Sequence, residues 1–253
     1  MPTVSVERVV AAPLADVFDW LSYTFGKVLD GRAPRQARVA ADEWRLGSSI
    51  AADFMPRPQV HPTDTMLDAA RDLLLEEGSR SATIEAIASS SGAPTGSIYH
   101  RFGSRDELIA RLWMRAVYRS QASFVAALER RDAKEAALAA ATSIIDFCEA
   151  HPADAQLLVS FRREDLIRSA PEGPLADELA DLNRPVERAV GDLARRLYGR
   201  RTRAALDRTL LAVFDLPYGA TRRYLITGTK LPPGLRADLT RAVSAVIDQP
   251  LRK

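Results

Sequence analysis

Residues 83–113 read TIEAIASSSGAPTGSIYHRFGSRDELIARLW. Thr83 is a favourable helix N-cap, and Ile84, Ile87 and Ala88 behind it share one face, which predicts a short helix. Ser89-Ser90-Ser91-Gly92 reads as a tight break, because Gly92 adopts positive φ without a Cβ penalty. Pro94 begins a second short helix, with Ile98 and Phe102 turned inward. Ser104-Arg105-Asp106-Glu107 has the pattern of a capping box, in which Ser104 accepts from a backbone N–H and Glu107 reaches back. It opens a longer helix with Leu108, Ile109, Leu112 and Trp113 on one side.

Two short helices around a glycine turn make a helix-turn-helix, whose second helix can enter the DNA major groove with its first residues at base edges. Those residues are Thr95, Gly96, Ser97, Tyr99 and His100. They are small and polar at the tip, with an aromatic ring and a ring N–H donor one turn on. Gly96 in a helix interior costs about 1 kcal/mol against alanine, and close approach of another surface is the simplest reason to keep it. Arg101, Arg105, Arg111, Arg115 and Arg119 follow the turn, so the positive side is expected at one end of the module.

Working outward, a helix is expected from Thr63 or Thr65, with Met66, Ala69, Ala70, Leu73 and Leu74 as its apolar stripe and Gly78 as its end. Downstream the chain stays helical. The longer helix runs on to about Arg130. Asp132 caps one that buries Leu138, Ala141, Ile144, Ile145 and Cys148, and Pro152 opens another with Leu157, Leu158, Phe161 and Leu166. Leu175 to Leu197 recur at helical spacing, with a kink expected at Pro185. Leu206 to Tyr218 mark a helix bent or broken at Pro217 and Gly219, and the last runs from about Pro233 to Asp248.

The whole chain has 253 residues, 35 basic and 33 acidic side chains, and one cysteine. Net charge +2 excludes a generally basic chain, so nucleic-acid binding must rest on a local patch. One cysteine cannot build a disulfide framework, and Cys148 in an apolar helical pattern reads as a small buried hydrophobe. No apolar run reaches membrane-spanning length, and no signal peptide is visible, which makes a cytoplasmic protein the default. His61, His100 and His151 stand in no metal-ligand spacing, and no nucleophile-elbow, phosphate-loop or dinucleotide motif occurs. The expectation is a non-enzyme with no metal and no cofactor.

The stretches DAARDLLLEEG (68–78) and 83–113 resemble the DNA-binding domain of the TetR family of transcriptional regulators. That resemblance implies an all-α fold: a three-helix helix-turn-helix domain at 63–112, then a helical effector-binding and dimerisation domain at 113–253. It implies that Thr83 touches phosphate, that Thr95, Gly96, Ser97, Tyr99 and His100 form the reading surface, and that Arg105 lies on the DNA backbone where the family usually has lysine. Pro94 departs from the usual Ser or Thr cap. The expected protein is a homodimeric repressor, paired through its last two long helices and released from double-stranded operator DNA by a small-molecule effector. Trp113, Phe147, Phe161 and Arg162 are the candidate pocket residues.

Residues 1–54 differ in character. Val4, Val6, Val9 and Val10 read as a strand, and a helical pattern follows Pro13. Residues 3–22 resemble the start of a START-like (polyketide cyclase) ligand-binding domain. Residues 26–55 cannot supply the rest of that fold, so 1–54 is expected as an incomplete, loosely packed α/β extension, with 55–62 a proline-rich linker. It is either a remnant fused in front of the regulator or the product of an upstream start codon. The rival function it motivates is a small-molecule binding or cyclase-like protein.

Overall fold

The computed structural model describes residues 63–251 other than Arg168 and Ala170. The strand and helix expected near the N-terminus, the START-like segment 3–22 and the linker 55–62 lie outside the described residues. Every described element is a helix. Helix α1 spans Thr63–Glu77, α2 Ile84–Ser91, α3 Thr95–Phe102 and α4 Arg105–Leu128. They are followed by α5 (Ala133–Ala150), α6 (Pro152–Ser160), the single turn α7 (Arg163–Leu166), α8 (Pro174–Asp181) and α9 (Arg184–Tyr198). Helix α10 (Arg203–Leu210) passes through a π-helical segment, Leu211–Asp215, into α11 (Leu216–Thr227), and α12 spans Leu235–Ile247.

Local chemistry sets most of these ends. Thr83, Ser104, Asp132 and Thr202 each accept from the backbone N–H three residues on, satisfying a donor that the first turn leaves free. Such a cap is worth about 1 kcal/mol. At Ser104 only half of the expected capping box forms: the Ser104 N–H donates to Phe102 O. Gly78, Gly92 and Gly199 end their helices at φ of 89°, 69° and 69°.

Two prolines act differently from expectation. The kink expected at Pro185 is a full break at Leu182–Asn183, and Pro185 sits in the first turn of α9, where its missing N–H costs nothing. Pro217 and Gly219 do not break the chain's helical path. The π-helical segment just before Pro217 widens the hydrogen-bond ladder where the proline ring would collide with the preceding turn.

Helix α4 carries two cores along its length. Its first half packs with α1, α2 and α3 around Met66, Leu74, Ile87, Ile98, Phe102 and Leu108, joined by Leu157 and Leu166. Its far end, Phe124, Ala127 and Leu128, packs with α5, α9, the π segment and α12. The face of α5 that meets these neighbours is almost all alanine, Ala136, Ala137, Ala140 and Ala141, every one at 0% exposure. Methyl groups there let the helix axes come close. Position 112/113, where a domain boundary was expected, falls inside this continuous helix.

Charge ties the N-terminal helices to the rest. Asp154 of α6 is 1% exposed and accepts from Arg71 of α1 at 3.1 Å and from Arg119 of α4 at 2.7 Å. Burial alone would push this carboxyl group's pKa up. The hydrogen bonds from Arg119 and Arg71 outweigh it and hold the group below the usual aspartate value. Arg115 extends the cluster to Asp64 and Asp68 at 2.7 and 2.6 Å.

Candidate nucleic-acid interface

Helix α2 is set by Thr83, at φ −85° and ψ 160°, whose Oγ1 accepts from Ala86 N at 3.2 Å. Ile84 and Ile87 point into the core, and Thr83 itself is exposed. The serine run expected as a break stays helical to Ser91. Ser91 Oγ donates to Ile87 O at 2.6 Å and accepts from Ala93 N at 3.3 Å, so one hydroxyl closes α2 and starts the turn. Gly92 then reverses the chain in the left-handed region, where a Cβ would be strained.

Pro94 precedes α3 and offers no side-chain cap. Its carbonyl does that work, accepting from Ser97 N at 2.8 Å. Ile98 and Phe102 are 0% and 1% exposed and fix the helix to the core. Burying each contributes roughly 1.5–3 kcal/mol. The opposite side carries Thr95, Gly96, Tyr99 and His100, all exposed, with Ser97 half-buried at the margin. Tyr99 is 49% exposed, an unusual placement for an aromatic that could have joined the core. A Cβ built on Gly96 meets nothing within 4 Å. The glycine is therefore not required by packing inside the chain. No acidic residue stands in the first turn of α3. Helix N-terminal N–H groups and small hydroxyls thus face outward together, an arrangement suited to phosphate and base edges.

Six of the seven expected residues, Thr83, Thr95, Gly96, Ser97, Tyr99 and His100, thus lie at the cap of α2 and on α3 of one helix-turn-helix. Arg105 is a correction. Its guanidinium does not face outward; it donates to Ala82 O at 2.7 Å, Ser79 O at 2.9 Å and Leu166 O at 3.1 Å, and pairs with Asp106 at 2.9 Å. A planar fork with five donors is the group that can hold three carbonyls and a carboxylate at once. Four of those donors are committed inside the protein, so the residue braces the turn before α2 against α7.

Most of the arginines expected to make one end of the module positive are likewise engaged within the chain. Arg115 and Arg119 belong to the Asp64, Asp68 and Asp154 cluster, and Arg101 donates to Thr63 Oγ1 at 3.2 Å. Among the described residues, the exposed cations of this region that form no ion pair are Arg80, in the turn leading to Thr83, and Arg111. Arg80 was missed at the level of sequence because nothing in its spacing separates it from an ordinary loop arginine.

The four candidate pocket residues do not share one cluster. Trp113 and Phe161 pack in the core of the first half of α4. Phe147 belongs to a separate cluster with Cys148, Ala155 and Leu225. Arg162 precedes α7. An open groove of about 620 Å³ lies elsewhere, lined by residues of α4, α5 and α12 such as Ala126, Leu138, Thr142, Asp146 and Thr240. None of the four lines it. Among the described residues no helix is long and apolar enough to cross a membrane.

Residues 66–112 match the family model of bacterial regulatory proteins, tetR family. The match does not extend into residues 1–54, and the START-like reading gains no support from it. No curated protein sequence matches the chain. Solved structures share the fold at low identity. The TetR family transcriptional regulator PfmR from Thermus thermophilus is 18% identical, with a TM-score of 0.57 over 76% of this chain and 98% of that one. The fatty acid degradation regulator FadR from Bacillus halodurans is 14% identical, with a TM-score of 0.55 over 74% and 98%. The transcriptional regulator FadR from Bacillus subtilis, solved in complex with stearoyl-CoA, is 12% identical, with a TM-score of 0.56 over 74% and 98%.

Proposed function

We propose that this chain is a DNA-binding transcriptional regulator of the tetR family, acting as a homodimeric repressor in the cytoplasm. The observation that carries the reading is the outward face of α3: Thr95, Gly96, Tyr99 and His100 exposed together on a helix whose inner face is fixed by Ile98 and Phe102. The family match over 66–112 supports it. Thr95, Ser97, Tyr99 and His100 read the major groove, and Gly96 lets the backbone come close. Thr83 and Arg80 take phosphate on the flank. Arg105 is a positioning residue that sets the angle of α2. Residues 63–112 form the reading head and 113–253 the responsive body, with α4 as the shaft common to both.

A two-fold dimer presents two heads to a pseudo-palindromic operator, which makes two weak half-site contacts strong. A small, largely apolar effector releases the operator only if it binds the two head spacings with different affinity. The Asp154 cluster, which ties α6 and α4 to α1, is the link through which such a change reaches α1. Footprinting on the DNA upstream of the chain's own gene tests the function. Two protected half-sites, about one helical turn or a multiple apart, are expected. Uniform protection along the fragment, or none, would sink it.

A further inference from the structure

Helix α4 starts at the reading head, and its 24 residues place its last turn roughly 36 Å away. Two connections meet at that far end: residues 129–132, between α4 and α5, and residues 199–202, between α9 and α10. Arg196 of α9 joins them, donating to Arg130 O at 2.6 Å and to Leu128 O. Its guanidinium takes up carbonyls left open where α4 ends.

Charge at this end is uneven. Residues 192–203 hold five arginines and one acid, Asp192. Asp192 pairs with Arg195 at 3.3 Å, and Arg203 pairs with Asp207 at 2.9 Å. On the other connection Asp132 caps α5, and Lys134 pairs with Asp248 at 2.5 Å. That leaves Arg130, Arg131, Arg200 and Arg201, all exposed and with no side-chain bond to a described residue. Only Glu129 and Glu135 remain as unpaired acids beside them, so the free charge is positive. Arg201 is also seated: a Cβ on Gly191 would stand 2.6 Å from its guanidinium, so the glycine inside α9 leaves that group its room. Four like charges on two joined connections repel one another unless an anion lies against them.

The kind of anion follows from the rest of this surface. Neither connection carries an exposed large apolar or aromatic residue; those of the described chain are Tyr99, Tyr118 and Leu211. A protein partner needs such anchors at the centre of its footprint, and a single strand needs rings on which to stack its bases. The backbone of a duplex needs neither. It needs cations that fit phosphate oxygens, as planar guanidinium forks do. We propose that the far end of the body is a second, sequence-independent DNA contact, in which Arg130, Arg131, Arg200 and Arg201 hold the backbone of another duplex segment while α3 faces the operator. This goes beyond operator reading: a regulator seated on its site also holds a second stretch of DNA.

Capture of a second duplex tests it. The full chain is bound to a bead-tethered duplex, washed, and offered a fluorescent duplex of unrelated sequence, with single-duplex binding followed by anisotropy in parallel. The parent should retain the fluorescent duplex, and its capture should fall with salt at a log–log slope of about −3.6, for four phosphates. Changing all four arginines to glutamine should cut capture at least about tenfold while the tethered duplex stays bound and the melting temperature holds. The same four changed to lysine should capture nearly as well as the parent, because the charge is kept. Capture that survives the glutamine variant would overturn the proposal, since the second duplex would then sit on the other reading head of a dimer. A parent that holds fluorescent polyglutamate and no second duplex would overturn it in favour of an acidic protein. A parent that binds one duplex and never a second overturns this proposal alone, whereas one that binds no duplex overturns the operator reading as well.

Discussion

Arg71 of α1 donates to Asp154 of α6 across 3.1 Å, joining residues 83 positions apart. Arg119 of α4 meets the other oxygen of the same carboxylate at 2.7 Å, so one buried acid holds three helices in register. Replacing Asp154 by Asn leaves two arginines facing a neutral group, and unfolding stability is expected to fall by about 2–4 kcal/mol. The sign with pH follows from the lowered carboxyl pKa. The parent's extra stability is present above the ordinary aspartate value of about 3.9 and is lost as pH falls through the lower folded value. Denaturation curves from neutral to acid pH should converge for parent and variant below that point. Equal stability of the two at neutral pH would contradict the role.

Arg105 and Arg80 should separate cleanly. Arg105→Ala removes hydrogen bonds to Ala82, Ser79 and Leu166, so it should lower the melting temperature, and Arg105→Lys should not restore it. Its effect on the salt dependence of DNA binding should be small. Arg80→Ala should leave melting unchanged and reduce the salt slope by about 1. The opposite pattern would return Arg105 to the DNA backbone.

Two glycines in the reading head should respond in opposite ways to alanine. Gly92, at φ 69°, is strained by any Cβ, and Gly92→Ala should cost about 1–2 kcal/mol of stability. Gly96 lies in helical backbone with open space around it, so Gly96→Ala should gain up to about 1 kcal/mol of stability while weakening DNA binding. A Gly96→Ala protein that binds DNA like the parent would mean that no surface comes close there.

Cys148 is 5% exposed, and burial pushes its thiol pKa up to about 11. It should react with thiol reagents at pH 8 far more slowly than a free cysteine, and at the full rate once the chain is unfolded. Fast labelling of the folded protein would place the thiol at the surface.

The features legible in the sequence are those set by neighbours along the chain. Thr83, Ser104 and Asp132 cap helices because each needs only the residue three places on. Gly92 marks the turn because φ alone demands glycine. Arginine is where reading along the chain fails. Arg105, Arg115 and Arg119 read as the positive end of the module, yet their acceptors are Leu166, Asp64 and Asp154, up to 61 positions away. The placing of the pocket candidates was not legible for a related reason. Trp113 and Phe147 are both large and helical, and only tertiary packing assigns them to different cores. The π-helical segment ahead of Pro217 was not legible, because nothing in the spacing of residues 211–215 along the chain marks it.

The most direct test is fluorescence anisotropy with the chain's upstream DNA and a scrambled duplex at one fixed salt concentration. The reading face on α3 requires the parent to prefer the upstream DNA by roughly 10³-fold or more. Tyr99→Ala with Ser97→Ala should erase most of that preference while the scrambled duplex binds as before and the melting temperature holds. Equal affinity of the parent for both duplexes, or an unchanged preference in the double variant, would contradict α3 as the helix that reads DNA.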